Sequence, residues 1–210
     1  MNYSTRDLVT LAVFGTLWGI SEMTLGTVLK SLRIPISGVI LAAIGLTIAL
    51  IGRVFVPQKG SVLFIGVIAA LLKLFTLGGV VIGPMVGIIT EAAVAEAVLS
   101  LKDRPNRGIM VLAGGAGVLW VLVQPFITNP LLFGRGIVDV WLDLLRSGSR
   151  LLGLGTNTVL WIVAGLVIIY FLIGALAGWT GWTLGGQLYQ RLGRSGVEFE
   201  EKSSSRRKDG

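Results

Sequence analysis

The sequence predicts an all-α polytopic membrane protein with six transmembrane helices, and three observations lead to that prediction. Apolar stretches of about 20 residues recur along the chain, which is the length that a hydrocarbon layer ~30 Å thick requires of a helix. Only 14% of the 210 residues are charged, whereas 53% are hydrophobic. The chain also contains 30 glycines, which are common in membrane helices because they let neighbouring backbones approach closely.

Polar or turn-forming residues separate the apolar stretches. Lys30, Arg33 and Pro35 follow the first stretch, and Pro57 and Gly60 flank a break after the second; Pro and Gly are typical of such breaks. The predicted spans cover residues 8–28, 36–56, 61–77, 80–101, 108–128 and 157–176.

Segment 129–155 differs from the spans because it mixes charges with apolar residues at helical spacing. Asp139 and Asp143 are four residues apart, as are Arg146 and Arg150. This pattern predicts an amphipathic helix that lies at the membrane surface before the last span. Residues 194–210 are Ser-rich and charged, so we expect a disordered tail after a single membrane domain formed by residues 1–193.

The distribution of basic residues predicts the orientation. With six spans, both termini and the second-third and fourth-fifth links share one side, which holds twelve of the 18 Lys and Arg residues. Basic residues favour the cytoplasmic side, so we expect both termini inside the cell and a multi-pass protein of the plasma membrane. The same distribution explains the basic pI without nucleic acid as a partner.

The residue types exclude several kinds of chemistry. The chain has neither Cys nor His, so it lacks thiol nucleophiles, imidazole bases and the commonest metal ligands. We expect no metal, no cofactor and no catalytic residues. An intramembrane enzyme would need a serine or carboxylate arrangement, and Ser21 beside Glu22 has no further partner by spacing.

Polar and aromatic residues from five predicted helices fall in the outer half of the membrane. Charged side chains there are rare and usually face a cavity or a partner. Such a convergence predicts an outward-facing pocket for a small polar ligand. The predicted substrate-binding residues are Glu22, Lys73, Glu91, Trp120, Gln124, Asn157 and Trp161.

Two alternative interpretations remain open. Glu22 and Lys73 could simply pair with each other, and the tryptophans could be interfacial anchors. Glu96 points about 140° away from Glu91 on a helix, which favours a structural or partner-facing role for it.

The first helix carries two pairs of small residues at a spacing of four, which permits tight helix contact. They are Ala12 with Thr16 and Gly15 with Gly19. Packing within the monomer and contact with a partner both fit this pattern.

Three features resemble the substrate-binding S components of energy-coupling factor (ECF) vitamin transporters. Residues 5–9 (Thr-Arg-Asp-Leu-Val) lead directly into a small-residue-rich first helix, and the size and six-span layout match. Residues 69–73, the Gly-Pro-Met segment 83–85 and residues 95–98 (Ala-Glu-Ala-Val) are similar to the third and fourth helices of the hydroxymethylpyrimidine/thiamine type.

The resemblance implies capture of a vitamin or vitamin precursor, followed by delivery through a transmembrane coupling subunit and cytoplasmic ATPases. The chain itself has no Gly-rich Lys-Ser/Thr phosphate loop, so partners would hydrolyse ATP. In that family the small-residue face of the first helix, here Ala12, Gly15, Thr16 and Gly19, meets the coupling subunit.

Several alternatives remain for the ligand and the function. Glu22 and Glu91 beside Trp120 and Trp161 would suit a flat, partly cationic heterocycle, whereas Lys73 could bind an anionic group. A self-sufficient secondary transporter and a membrane scaffold or assembly subunit are the alternative functions.

Overall fold

The computed structural model describes residues 3–32, 36–75, 82–102, 105–133 and 156–208. All secondary structure in these ranges is helical, so the all-α prediction is confirmed for them. The predicted amphipathic helix lies outside the described residues, apart from residues 129–133, which belong to the preceding helix. The helices are α1 Thr5–Ser31, α2 Ser37–Phe55, α3 Ser61–Lys73, α4 Ile82–Leu99, α5 Arg107–Phe133 and α6 Thr156–Lys208.

Five of these helices are long and apolar enough to cross a membrane, and α3 is the exception. The 13 residues of α3 extend over about 20 Å at the standard helical rise. The predicted third span continues to residue 77, beyond the described end of α3, so the count of six spans stays a prediction. We call the end at which α1 begins the inner end and the opposite end the outer end, following the predicted orientation.

The bundle is organised around α2, which packs against each of the other five helices. Neighbouring contacts then run from α1 to α3, α3 to α4, α4 to α5 and α5 to α6, and form an incomplete ring. Within the described part of the chain, α1 and α6 do not pack against each other. The ring is therefore open along one side.

Trp18 fills the space between α1, α2 and α3. Its side chain is fully buried, and a Cβ atom placed on Gly45 of α2 would collide with the indole ring. A Cβ on Gly66 of α3 would lie 3.6 Å from the same ring. Gly45 therefore creates the room that the largest core side chain occupies, whereas Gly66 allows the close approach of Ala92 on α4.

Glycines also set the separation of α5 and α6. A Cβ at Gly178 would lie 2.8 Å from the Cα atom of Val111, and one at Gly174 would lie 2.8 Å from the Cα atom of Gly115. The two backbones thus touch directly at this crossing, as small-residue packing in membranes allows.

The small residues of α1 divide between two environments. A Cβ at Gly15 would lie 2.7 Å from Ile68, and one at Gly19 would lie 2.7 Å from Leu72, so both glycines pack against α3 within the chain. This packing corrects the implied partner role for Gly15 and Gly19, because α3 covers them. Ala12 is half-buried and Thr16 is exposed.

A buried ionic cluster joins three helices at the inner end. One oxygen of Glu96 on α4 lies 3.3 Å from Arg53 of α2 and accepts a 2.7 Å hydrogen bond from the backbone N–H of Gly60. The other oxygen accepts a 2.9 Å hydrogen bond from the N–H of Val62. Glu96 therefore caps the start of α3, whose free N–H groups favour a negative charge.

The last helix is longer than the sequence predicts. The backbone of residues 194–208 continues α6 to Lys208, where the sequence predicts a disordered tail. Glu, Arg and Lys are strong helix formers, and their frequency in this segment is consistent with continued helix.

Candidate solute-binding cavity

A cavity of about 310 Å³ lies at the outer end of the bundle. It is formed where α1, α3 and α5 approach their ends and where α2 and α4 begin, so five helices contribute to its wall. The polar side chains that line it are those of Glu22, Ser37, Lys73, Glu91 and Gln124. Apolar contributions come from α2, α4 and α5, among them Leu41, Ile88 and Val121.

Glu22 and Lys73 form an ion pair on one side of the cavity. The Lys73 Nζ atom lies 3.1 Å from a Glu22 carboxylate oxygen, and both residues are buried. The same Nζ atom donates a second hydrogen bond, also 3.1 Å long, to the Glu22 backbone carbonyl. Each charge is therefore compensated inside the protein, as burial in a low-dielectric environment requires.

Glu91 lies in the same cavity without such compensation. The residue is 7% exposed, and within the described residues its carboxylate has neither a hydrogen bond nor a salt bridge. Burying an ionised carboxylate is costly unless a partner is present. With Glu22, Lys73 and Glu91 ionised, the described part of the lining carries one more negative than positive charge.

Gln124 approaches Glu91 from α5 because α4 presents a glycine to it. A Cβ at Gly87 would lie 2.8 Å from the Gln124 Oε1 atom, so the amide occupies space that the glycine leaves open. The Gln124 Nε2 atom donates a 3.2 Å hydrogen bond to the carbonyl of Gly83. This carbonyl lies in the first turn of α4, followed by Pro84, which is tolerated there because first-turn N–H groups have no helical partner.

The structure brings together Glu22, Lys73, Glu91 and Gln124 of the seven predicted binding residues. Trp120 does not line the cavity, because its Nε1 atom donates a 2.7 Å hydrogen bond to Thr90 Oγ1 and so links α5 to α4 beside Glu91. Trp161 is 78% exposed and lies away from the cavity. The side chain of Asn157 lies outside the described residues.

Sequence reasoning missed Ser37 and Gly87 as part of this site. Gly87 precedes Glu91 by four residues, so both lie on the same face of α4. That spacing could have indicated Gly87 as part of the site. The approach of Ser37 to the cavity depends instead on how α2 is rotated within the bundle, which the sequence does not give.

In the described ranges, no group of three or more His, Asp or Glu side chains could hold a metal ion. The cavity offers instead one uncompensated carboxylate, an internal ion pair and an amide, which is a set suited to recognising a polar organic solute. No protein-family model, curated protein or solved structure matches the chain.

Proposed function

We propose that this chain is a membrane-embedded substrate-capture subunit that binds a small organic solute in the cavity at its outer end. The observation that carries the proposal is Glu91: a buried carboxylate that lines a cavity and has no partner there among the described residues. A bound solute would supply the missing counter-charge. In its absence the carboxylate imposes a cost that serves no packing purpose.

The chemistry of the lining favours a solute with a cationic or strongly hydrogen-bond-donating part directed at Glu91. The Glu22–Lys73 pair offers both a positive and a negative group for a second polar part, and Gln124 offers an amide. The volume of about 310 Å³ lies at the lower end of the ~300–1,000 Å³ that is typical of small-molecule sites. A vitamin precursor with one heterocyclic ring meets both the chemical condition and the size condition.

The ECF-type assignment rests on the sequence resemblance, and the position of the cavity is consistent with it. In this proposal the chain captures the vitamin or precursor outside the cell, and a coupling subunit with two cytoplasmic ATPases completes the transport. Thr16, which is exposed, and Ala12, which is half-buried, remain the candidates on α1 for contact with the coupling subunit.

The first experiment is a thermal-unfolding screen of the detergent-purified chain against vitamins and their precursors. Each cationic heterocycle is paired with a neutral or anionic analogue of the same shape. At a hundredfold excess over the dissociation constant, a true ligand adds about 2.7 kcal/mol of stability. Glu91→Gln should abolish the shift for the cationic member, whereas Trp161→Phe, which alters an exposed side chain, should retain it.

Two results would contradict the proposal. One is a ligand whose affinity is unchanged in Glu91→Gln, and the other is uptake that survives Glu22→Gln combined with Glu91→Gln. Uptake by the purified chain alone in liposomes, without ATP, would retain the cavity but assign it to a self-sufficient secondary transporter. Co-purification with coupling and ATPase subunits without any ligand would favour a scaffold.

A further inference from the structure

The open side of the helix ring, between α1 and α6, forms a groove at the inner end. Its volume is about 520 Å³, and it is separate from the solute cavity at the outer end. The floor is aromatic: the ring centroids of Phe14 and Phe55 are 5.5 Å apart, and those of Phe55 and Tyr189 are 5.7 Å apart. The other apolar lining residues are Val9, Val13, Leu188 and Leu192.

Within the described residues, one cation lines this apolar groove. Arg6 lies in the first turn of α1, is exposed and lines the groove. Its guanidinium makes no hydrogen bond or salt bridge with any described residue. The carboxylate of the neighbouring Asp7 attracts this guanidinium electrostatically, but the carboxylate also accepts a 2.9 Å hydrogen bond from the Ser4 N–H and a 3.1 Å hydrogen bond from Gln58 Nε2.

The other polar groups of the groove do not require a protein partner. The Thr10 hydroxyl donates a 2.8 Å hydrogen bond to the carbonyl of Arg6 within the same helix. Tyr189 packs its ring against Phe55 and is otherwise exposed. The groove therefore combines an apolar floor with the positive charge of Arg6, which lies at the inner end of α1, where we expect this helix to leave the membrane.

We infer that this groove holds the acyl chain of an anionic phospholipid whose phosphate lies against Arg6. An acyl chain fills an apolar trough without requiring hydrogen bonds, and Arg is well suited to bind phosphate. Anionic lipids are enriched in the cytoplasmic leaflet, which the predicted orientation places at this end. Charge complementarity is the reason for choosing an anionic lipid over a neutral one.

The test measures lipid binding to the delipidated, detergent-purified chain by native mass spectrometry. Phosphatidylglycerol and phosphatidylcholine with identical acyl chains are compared, with glycerol phosphate as a probe for the headgroup alone. We expect phosphatidylglycerol to bind more tightly than phosphatidylcholine, and glycerol phosphate to bind negligibly. Arg6→Gln should weaken phosphatidylglycerol about fivefold, equivalent to ~1 kcal/mol per basic residue. It should weaken phosphatidylcholine less, because the choline ammonium group already neutralises the charge of that lipid's phosphate.

Two further variants fill the groove from opposite walls. Val13→Phe and Leu192→Trp add volume at exposed positions, so we expect the fold to tolerate them and both lipids to bind more weakly. The controls are Lys102→Gln, which removes an exposed charge away from the groove, and Val28→Phe, which adds the same ring to α1 near its outer end. Both controls should bind lipid as the unmodified chain does.

Several outcomes would overturn the inference. Equal binding of the two lipids would remove the role of Arg6, and unchanged phosphatidylglycerol binding in both filled variants would place the lipid elsewhere. Glycerol phosphate binding as tightly as the lipid would make this a site for a free phosphate. Loss of a copurifying protein from the filled variants, with lipid binding unaffected, would make the groove a protein-docking surface. None of these results depends on the solute cavity.

Discussion

The Lys73 ammonium group donates one hydrogen bond to the backbone carbonyl of Glu22 and another to its carboxylate, and each bond is 3.1 Å long. The one cation in the described lining of the cavity is therefore held by α1 and does not reach Glu91 as a partner. This division makes the cavity electrostatically asymmetric, with a neutralised pair on one side and a single carboxylate on the other.

The Glu22–Lys73 pair can be tested by a double-mutant cycle. Lys73→Gln and Glu22→Gln each leave a buried charge without its partner, so each should lower the free energy of unfolding by about 3–5 kcal/mol. The double variant should lose less than the sum of the two, because it removes both charges. Unfolding in mixed detergent measures all four proteins, and strictly additive losses would show that the two side chains do not interact.

Glu91 and Glu96 permit the same substitution with opposite expected results. Glu96→Gln weakens the cap of α3 and leaves the buried charge of Arg53 without its partner, which should lower the free energy of unfolding by about 3–5 kcal/mol. The midpoint of thermal unfolding should therefore fall by roughly 10 °C. Glu91→Gln should leave the midpoint unchanged or raise it, because it removes an uncompensated charge. A fall in the midpoint with Glu91→Gln equal to that with Glu96→Gln would mean that Glu91 has a structural partner.

The α5–α6 crossing predicts a difference between two glycines of one helix. Gly178→Ala places a methyl group against the carbonyl of Met110, so we expect a loss of about 1–3 kcal/mol from overpacking. Gly186 has no atom within 4 Å of an added Cβ, so Gly186→Ala should be neutral or stabilise the helix by up to about 1 kcal/mol. Equal effects of the two variants in thermal unfolding would rule out direct backbone contact at Gly178.

The hydrogen bond from Trp120 to Thr90 predicts an indirect effect on binding. Trp120→Phe removes this bond beside Glu91 and should cost about 1 kcal/mol of stability, with a modest loss of ligand affinity. Trp161→Phe should change neither quantity, because that indole is exposed. Isothermal titration with the solute found by screening measures the affinity of both variants, and thermal unfolding measures their stability. A larger effect of Trp161→Phe than of Trp120→Phe would reverse the assignment of the two tryptophans.

The sequence predicts the depth of polar groups well because helical rise converts residue number into distance. Lys73 ends α3, Glu22 and Gln124 lie in the outer halves of α1 and α5, and Glu91 lies near the middle of α4. The structure brings all four residues to one cavity. What the sequence does not give is rotation about the helix axis. Residues 160–176 of α6 are apolar on all faces, so nothing in the pattern indicates that Trp161 is exposed.

The glycine pattern shows the same limit. Gly15 and Gly19 predict a close helix contact, but spacing alone does not say whether α3 or another protein provides it. Trp18 carries no signal of burial because tryptophan is also common at membrane interfaces. Its environment depends on Gly45 of α2, which is distant in sequence from Trp18.

The central position of α2 has a consequence for biosynthesis. This helix leaves the ribosome before two of its neighbours, α5 and α6, which begin at residues 107 and 156. Gly181 of α6 covers the backbone near Leu50, so that face has no protein neighbour while translation is in progress. The nascent chain must therefore keep α2 in contact with lipid or with the insertion machinery until α6 arrives.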